Sequence, residues 1–188
     1  PCASDGHSWA GERVSVGGHV IVIGIDPGLT GGLAAINSRT GECTVHDLPT
    51  TPLEGNGMVK RRIQGLEFGM LVRKYVALGE GIAVYLEQVG AMGGKDNAIQ
   101  TQASLAGTFL GIRCVLDVLR IKPVLVSPQR WKATFGLKRQ KGEKDSAYKG
   151  RHLILARTLY PAADLTLAKH HNRAEAVLIA HAGLKDVA

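Results

Sequence analysis

Seven residues from Val20 to Asp26, VIVIGID, form a nearly unbroken β-branched run that stops at Pro27-Gly28. Such a run reads as a strand buried on both faces, and the Pro-Gly pair turns the chain at its end. GGLAAINS follows at once as a second strand, and CTVHDLP reads as a third. Connections this short join neighbouring strands as a meander, so the sheet begins antiparallel.

The remainder alternates helix and strand. From about Val59 to Leu78, Ile63, Leu66, Leu71 and Val76 recur near the helical period among charged residues and predict one amphipathic helix. IAVYLEQV at 82 to 89 is a fourth strand carrying Glu87 near its end. A glycine-rich loop then leads to a helix from about Asn97 to Ile112, and KPVLVSP is a fifth strand stopped by Pro128. QRWKATFG predicts a turn or two of helix, with Trp131 and Phe135 packing it against the body. Helices follow from about Lys144 to Tyr160 and over KHHNRAEAVLIAHAG, which ends at Gly183. The later strand-helix-strand passages need crossovers, so the economical arrangement is α/β, a mixed five-stranded sheet flanked by helices.

A chain of 188 residues fits one domain. Residues 1 to 19 lack periodicity and are expected to be a flexible N-terminal extension, leaving residues 20 to 188 as the domain. No run of 18 apolar residues exists, so no membrane partner is expected. Cys2, Cys43 and Cys114 form neither a CxxC pair nor a zinc pattern, which fits a reducing compartment. That points to the cytoplasm.

Charge is concentrated rather than spread. Between Arg120 and His152 ten Lys or Arg residues face two acids, within a chain of net charge +7. Clustered cations favour a polyanion, because phosphates release their counterions on binding. Lys132, Lys138, Lys141, Lys144 and Lys149, with Arg130 beside them, are the candidate DNA contacts. Lys95, in the glycine-rich loop with Met92, is a further candidate contact.

Three acids sit where strands and helices end. Asp26 closes the first strand, Glu87 the fourth, and Glu175 lies one turn into the last helix. A carboxylate is costly to bury without a hydrogen bond or a cation. Were the two strands adjacent, both acids would face one crevice, with Glu175 opposite. Oxygen ligands of this kind suit Mg²⁺ and suggest two-ion phosphodiester hydrolysis, the ions about 3.5 to 4 Å apart. Asn172 is placed to cap the last helix, in capping-box register with Glu175. His170 and His171 beside it could meet a metal, move a proton or contact phosphate, or simply lie exposed, whereas His181 turns to another side and reads as structural.

Taken in order, GIDPGLTG at 24 to 31, LEQV at 86 to 89, SPQRWKATFGL at 127 to 137 and KHHNRAEAVLIA at 169 to 180 resemble the RuvC-type Holliday junction resolvases, particularly the phage and organellar branches. The resemblance implies a ribonuclease H-like fold, a homodimer, and paired symmetric nicking of four-way junction DNA with Mg²⁺ or Mn²⁺, two ions per active site. It implies that Asp26, Glu87 and Glu175 are catalytic metal ligands. The family commonly has Asp or His three residues before the last acid. Asn172 stands there instead, with the adjacent His171 a candidate to take the metal-ligating role. A neutral amide supplies no charge, so a catalytically impaired junction-binding protein is the main alternative, followed by an actin-like phosphotransferase. A two-fold dimer would present two sites to a nearly symmetric junction, and Gln102, Ala103, Leu105, Ala106, Phe109 and Leu110 offer a surface for it.

Overall fold

The computed structural model describes residues 19–55, 57, 59–79, 81–89 and 99–187. Residues 1–18 of the expected extension, and Met92 and Lys95 of the glycine-rich loop, lie outside them. Five strands form one sheet: β1 (Val20–Asp26), β2 (Gly32–Asn37), β3 (Cys43–Asp47), β6 (Gly81–Glu87) and β7 (Val124–Val126), in spatial order β3-β2-β1-β6-β7. The meander β1-β2-β3 is antiparallel, and β6 and β7 add in parallel to β1. The sheet is the mixed one the run lengths predict.

β1 is central and buried on both faces because its side chains alternate between two cores. Ile21, Ile23 and Ile25 pack with Phe68, Val72, Ile112 and Leu116 from α1 (Gly65–Val76) and α2 (Ile99–Val118). Val20 and Val22 face the other core, with Trp131 from α3 (Pro128–Thr134), Leu153 from α4 (Asp145–Leu159), and Val177, Leu178 and Ile179 from α5 (His171–Leu184). Full burial of each such side chain contributes about 1.5 to 3 kcal/mol.

One expectation is corrected between the third strand and the first helix. The single helix predicted from Val59 is instead a two-stranded ribbon followed by a shorter helix. β4 (Thr50–Pro52) pairs antiparallel with β5 (Arg61–Ile63), Thr50 opposite Ile63. Arg61 clamps the ribbon by donating to the Thr50 carbonyl at 2.9 Å and its hydroxyl at 3.0 Å. Gln64 then caps α1, its side chain accepting from the Glu67 N–H at 3.0 Å. The buried stripe of α1 is Phe68, Val72 and Tyr75, at helical spacing, while Leu66 is 72% exposed.

α2 runs past its predicted end at Ile112 to Val118. Gly111 does not break it, because the missing side chain makes room for Ile63, whose Cγ2 would lie 2.4 Å from an added Cβ. No helix among the described residues is long and apolar enough to cross a membrane. Cys43 and Cys114 are free thiols.

Candidate active site

Asp26 and Glu87 end parallel neighbours in the sheet. Gly24 of β1 pairs with Tyr85 of β6, and parallel partners share a face, so the residues two further along, Asp26 and Glu87, point to that same side. This is the α5 side. A Cβ on Gly24 would stand 2.3 Å from the Ala176 carbonyl oxygen, and one on Gly32 2.9 Å from the Arg173 Cα. Glycine at both positions lets the helix backbone lie directly on β1 and β2, with alanines 174, 176 and 180 fully buried beneath it. That close approach brings Glu175, between two of those alanines, to the ends of the strands. The carboxyl ends of parallel strands are where open α/β sheets place their ligand crevices.

The three carboxylates feel one another. Burial, then the negative charges of Glu175 and Glu87, hold the Asp26 carboxyl well above its usual range, with Lys132 and Lys149 opposing. Burial likewise pushes Glu87 up to about 7; Lys132 and the Trp131 hydrogen bond lower it, while Glu175 raises it further. Glu175 differs. Burial raises it, but the His152 hydrogen bond and the charges of Lys132, His152 and Lys149 outweigh burial and leave it below the usual value. Two acids that favour the neutral form thus sit beside one that favours the charged form, a separation typical of functional clusters.

Each of the two glutamates has a buried aromatic partner that sequence spacing does not assign to it. Trp131 Nε1 donates to Glu87 Oε2 at 3.2 Å, and His152 Nδ1 lies 3.0 Å from Glu175 Oε1. Both rings are fully buried and meet edge-on, centroids 5.7 Å apart, with Tyr148 against the other side of His152 at 4.5 Å. Trp131 does pack its turn against the body, as its spacing suggests, and also bonds a site carboxylate. The histidine Nε2 is buried with no hydrogen-bond partner. The only signal in sequence is a histidine inside an apolar stretch of helix, HLILA, which as often means a core residue.

The entrance of α5 departs from the predicted cap. The helix starts at His171, and Asn172 lies inside its first turn. The Asn172 amide donates to the Thr30 carbonyl and, at 2.9 Å, to the Thr30 hydroxyl, tying α5 to the β1-β2 turn. Glu175 is engaged by His152, so no capping box forms between Asn172 and Glu175. His170 is buried, only 6% exposed, and its Nδ1 accepts from the Leu167 N–H at 3.4 Å; His171 is half-buried. Arg173 holds Asp47 through paired bonds of 2.6 and 2.7 Å and Asp164 at 2.8 Å. His181 is structural as read, accepting or donating a 2.8 Å bond with the Tyr160 hydroxyl.

Among the predicted cations, Lys132 and Lys149 are half-buried and act electrostatically on the carboxylates, whereas Arg130, Lys138, Lys141 and Lys144 are exposed. Lys144 precedes α4 as its N-cap rather than opening it. Part of the basic tract is internally bonded: Arg151 donates to Glu143 at 2.8 Å, and Lys149 stands 3.6 Å from Asp145. Among the described residues, no group of three or more His, Cys, Asp or Glu side chains is set at metal-ligand spacing.

No family model matches the chain, and no curated protein matches it. Solved structures do. Thermus thermophilus RuvC in complex with Holliday junction substrate matches at 15% identity and a TM-score of 0.50, over 86% of this chain and 90% of that one. A second structure of Thermus thermophilus RuvC matches at 16% identity and a TM-score of 0.45, over 85% and 90%. Strand order, strand directions and the flanking helices agree with this likeness: the chain has a ribonuclease H-like α/β fold.

Proposed function

We propose that the chain is a divalent-metal-dependent endonuclease that resolves four-way DNA junctions by paired nicks. The observation that carries this reading is the coupling of Asp26, Glu87 and Glu175 at the ends of two parallel strands and a facing helix, with Lys132 and Lys149 beside them. The donor set suits a hard cation: three carboxylate oxygens, two of them held toward the neutral form by burial and by repulsion that a cation would relieve. Asp26, Glu87 and Glu175 would hold Mg²⁺ or Mn²⁺, with His171 as a fourth candidate. When bound, such ions acidify water and neutralise charge on the departing oxygen. Among the described residues these carboxylates do not stand at metal-ligand spacing.

The remaining residues prepare that site. Trp131 fixes one oxygen of Glu87 and His152 one oxygen of Glu175, so each glutamate keeps its other oxygen for the crevice. Lys132 and Lys149 offset charge that would otherwise repel a phosphate, and the exposed Arg130, Lys138, Lys141 and Lys144 extend the positive field from α3 through the segment that leads to α4. Gln102, Ala103, Ala106 and Leu110 are exposed on α2 and are the proposed homodimer face.

A junction-binding protein without cleavage is the second reading. It is favoured by Asn172, whose amide is spent on Thr30 where a charged or basic side chain would serve a metal. Replacing Glu175→Gln separates the two. Under the nuclease reading the variant loses junction cleavage and keeps junction binding; loss of binding and folding together would overturn the catalytic role of Glu175.

A further inference from the structure

Beside the carboxylates, α3, the segment after it and the first turns of α4 enclose a cavity of about 460 Å³, lined among others by Pro128, Lys132, Leu137, Lys138, Arg139 and Tyr148. Its volume falls within the roughly 300 to 1,000 Å³ of small-ligand sites. Its chemistry is two-sided. Pro128, Leu137 and the Tyr148 ring give flat apolar walls, while cations surround the same ring: Lys132 Nζ at 5.7 Å, Arg139 Cζ at 5.6 Å and Arg151 Cζ at 5.5 Å from its centroid. Gly136, which also lines the cavity, has φ +64 and open space where a Cβ would be, so the chain turns sharply there without filling it.

Walls and charges together suit a planar, partly apolar, anionic ligand. A phosphate alone would leave the apolar walls bare; of the cations, Arg151 is held by Glu143 at 2.8 Å and Arg139 stands 3.6 Å from Asp145, so Lys132 and Lys138 on the cavity wall are the ones that call for an anion. Lys132 connects this cavity to the carboxylate site, standing 5.0 Å from the Trp131 ring, whose N–H holds Glu87.

We propose that this cavity receives the base of an unpaired nucleotide in a DNA strand, stacked toward Tyr148, with the adjoining phosphate against the cavity's cations. The inference rests on the nuclease reading above for its substrate class. It adds that the chain grips one nucleotide near the cut by its base and not only by its backbone. Extruded or single-stranded bases are held in this way by an aromatic wall and flanking cations. A free nucleoside phosphate shares the chemistry, so the strand and the free ligand must be told apart.

The test is fluorescence anisotropy of the full chain with labelled nine-nucleotide single strands at fixed salt. Normal strands are compared with strands of the same length carrying abasic sugars. The proposal expects normal strands to bind at least tenfold tighter, the Tyr148→Leu and Arg139→Gln variants to erase most of that ratio, and deoxynucleoside monophosphates to compete only in large excess. Equal binding of normal and abasic strands by the unmutated chain would overturn it, whatever the variants do. Efficient competition by the monophosphates would overturn the strand assignment in favour of a free nucleotide. Because the readout is binding, base dependence without junction cleavage would sink the nuclease reading and keep the cavity. Junction cleavage without base dependence would do the reverse.

Discussion

His152 Nδ1 lies 3.0 Å from Glu175 Oε1, and the imidazole is completely shielded from solvent between Trp131 and Tyr148. A buried ring bonded to one acid, packed on a second ring bonded to another, ties the two glutamates into one assembly. Side chains held in this way lose little freedom when the site engages substrate, which is the advantage of a supported constellation.

Removing that support has a measurable signature. His152→Ala should cost on the order of 3 kcal/mol in stability, as for other large buried rings, and lower junction cleavage at least tenfold. His152→Asn should recover part of the cleavage by restoring a polar partner for Glu175, with little recovery of stability. Chemical denaturation and single-turnover nicking distinguish the two; recovery of stability without recovery of rate would leave His152 a packing residue only.

The seating of α5 can be tested at Gly24. A Cβ there meets the Ala176 carbonyl oxygen at 2.3 Å and the Ala180 nitrogen at 2.4 Å, both backbone atoms that cannot move aside alone. Gly24→Ala should therefore destabilise by about 3 kcal/mol or more and lift Glu175 away from the strand ends. Gly150→Ala on α4 is the contrast, since an added Cβ meets nothing within 4 Å. It should stabilise by about 0.5 to 1 kcal/mol through helix propensity. Thermal unfolding of both proteins checks the pair.

The carboxylates set a pH dependence whose sign follows from their shifts. Glu87 is raised from its ordinary 4.5 to about 7, so between those values the folded state binds more protons than the unfolded state. Its contribution to stability is then greatest at low pH and is lost as pH rises through that window. Asp26 is shifted in the same direction. Glu175, shifted downward, contributes oppositely, its share being lost as pH falls. In the presence of a chelator, Glu87→Gln should therefore flatten the decline in the unfolding midpoint between pH 4.5 and 7. An unchanged slope in the variant would contradict the assignment.

Cations near and far from the carboxylates should behave differently. Lys132→Ala removes a charge that acts on all three acids, so it should slow cleavage at saturating DNA. Replacing Lys138, Lys141 or Lys144, which are exposed, should weaken binding and reduce the slope of log affinity against log salt by roughly one for each phosphate no longer neutralised. Titrations at four salt concentrations read both effects.

What the sequence made legible is what lies along the chain. The β-branched run at Val20 to Asp26 announces its strand, and acids at the ends of strands in a chain this apolar stand out without any tertiary knowledge. The ribbon of Thr50–Pro52 with Arg61–Ile63 did not stand out, because three-residue strands carry too little periodicity and Ile63 mimics the start of a helical stripe. The partners of the acids were hidden for a different reason. Trp131 is 44 residues from Glu87 and His152 23 from Glu175, so the bonds exist only once α3, α4 and α5 are packed together. Asn172 looked like a cap by local spacing, yet it reaches Thr30, 142 residues away, because Gly32 lets the helix come down on the strand.

The central claim is tested most directly by incubating the full chain with synthetic four-way junctions in Mg²⁺ or Mn²⁺, beside duplex and replication-fork DNA at matched salt. Strand-by-strand mapping of the products reads the outcome. Paired nicks, symmetric about the junction and absent from the other DNAs, are the expected result. Equal cutting of every DNA form, or tight junction binding with no nick in either metal, would contradict it.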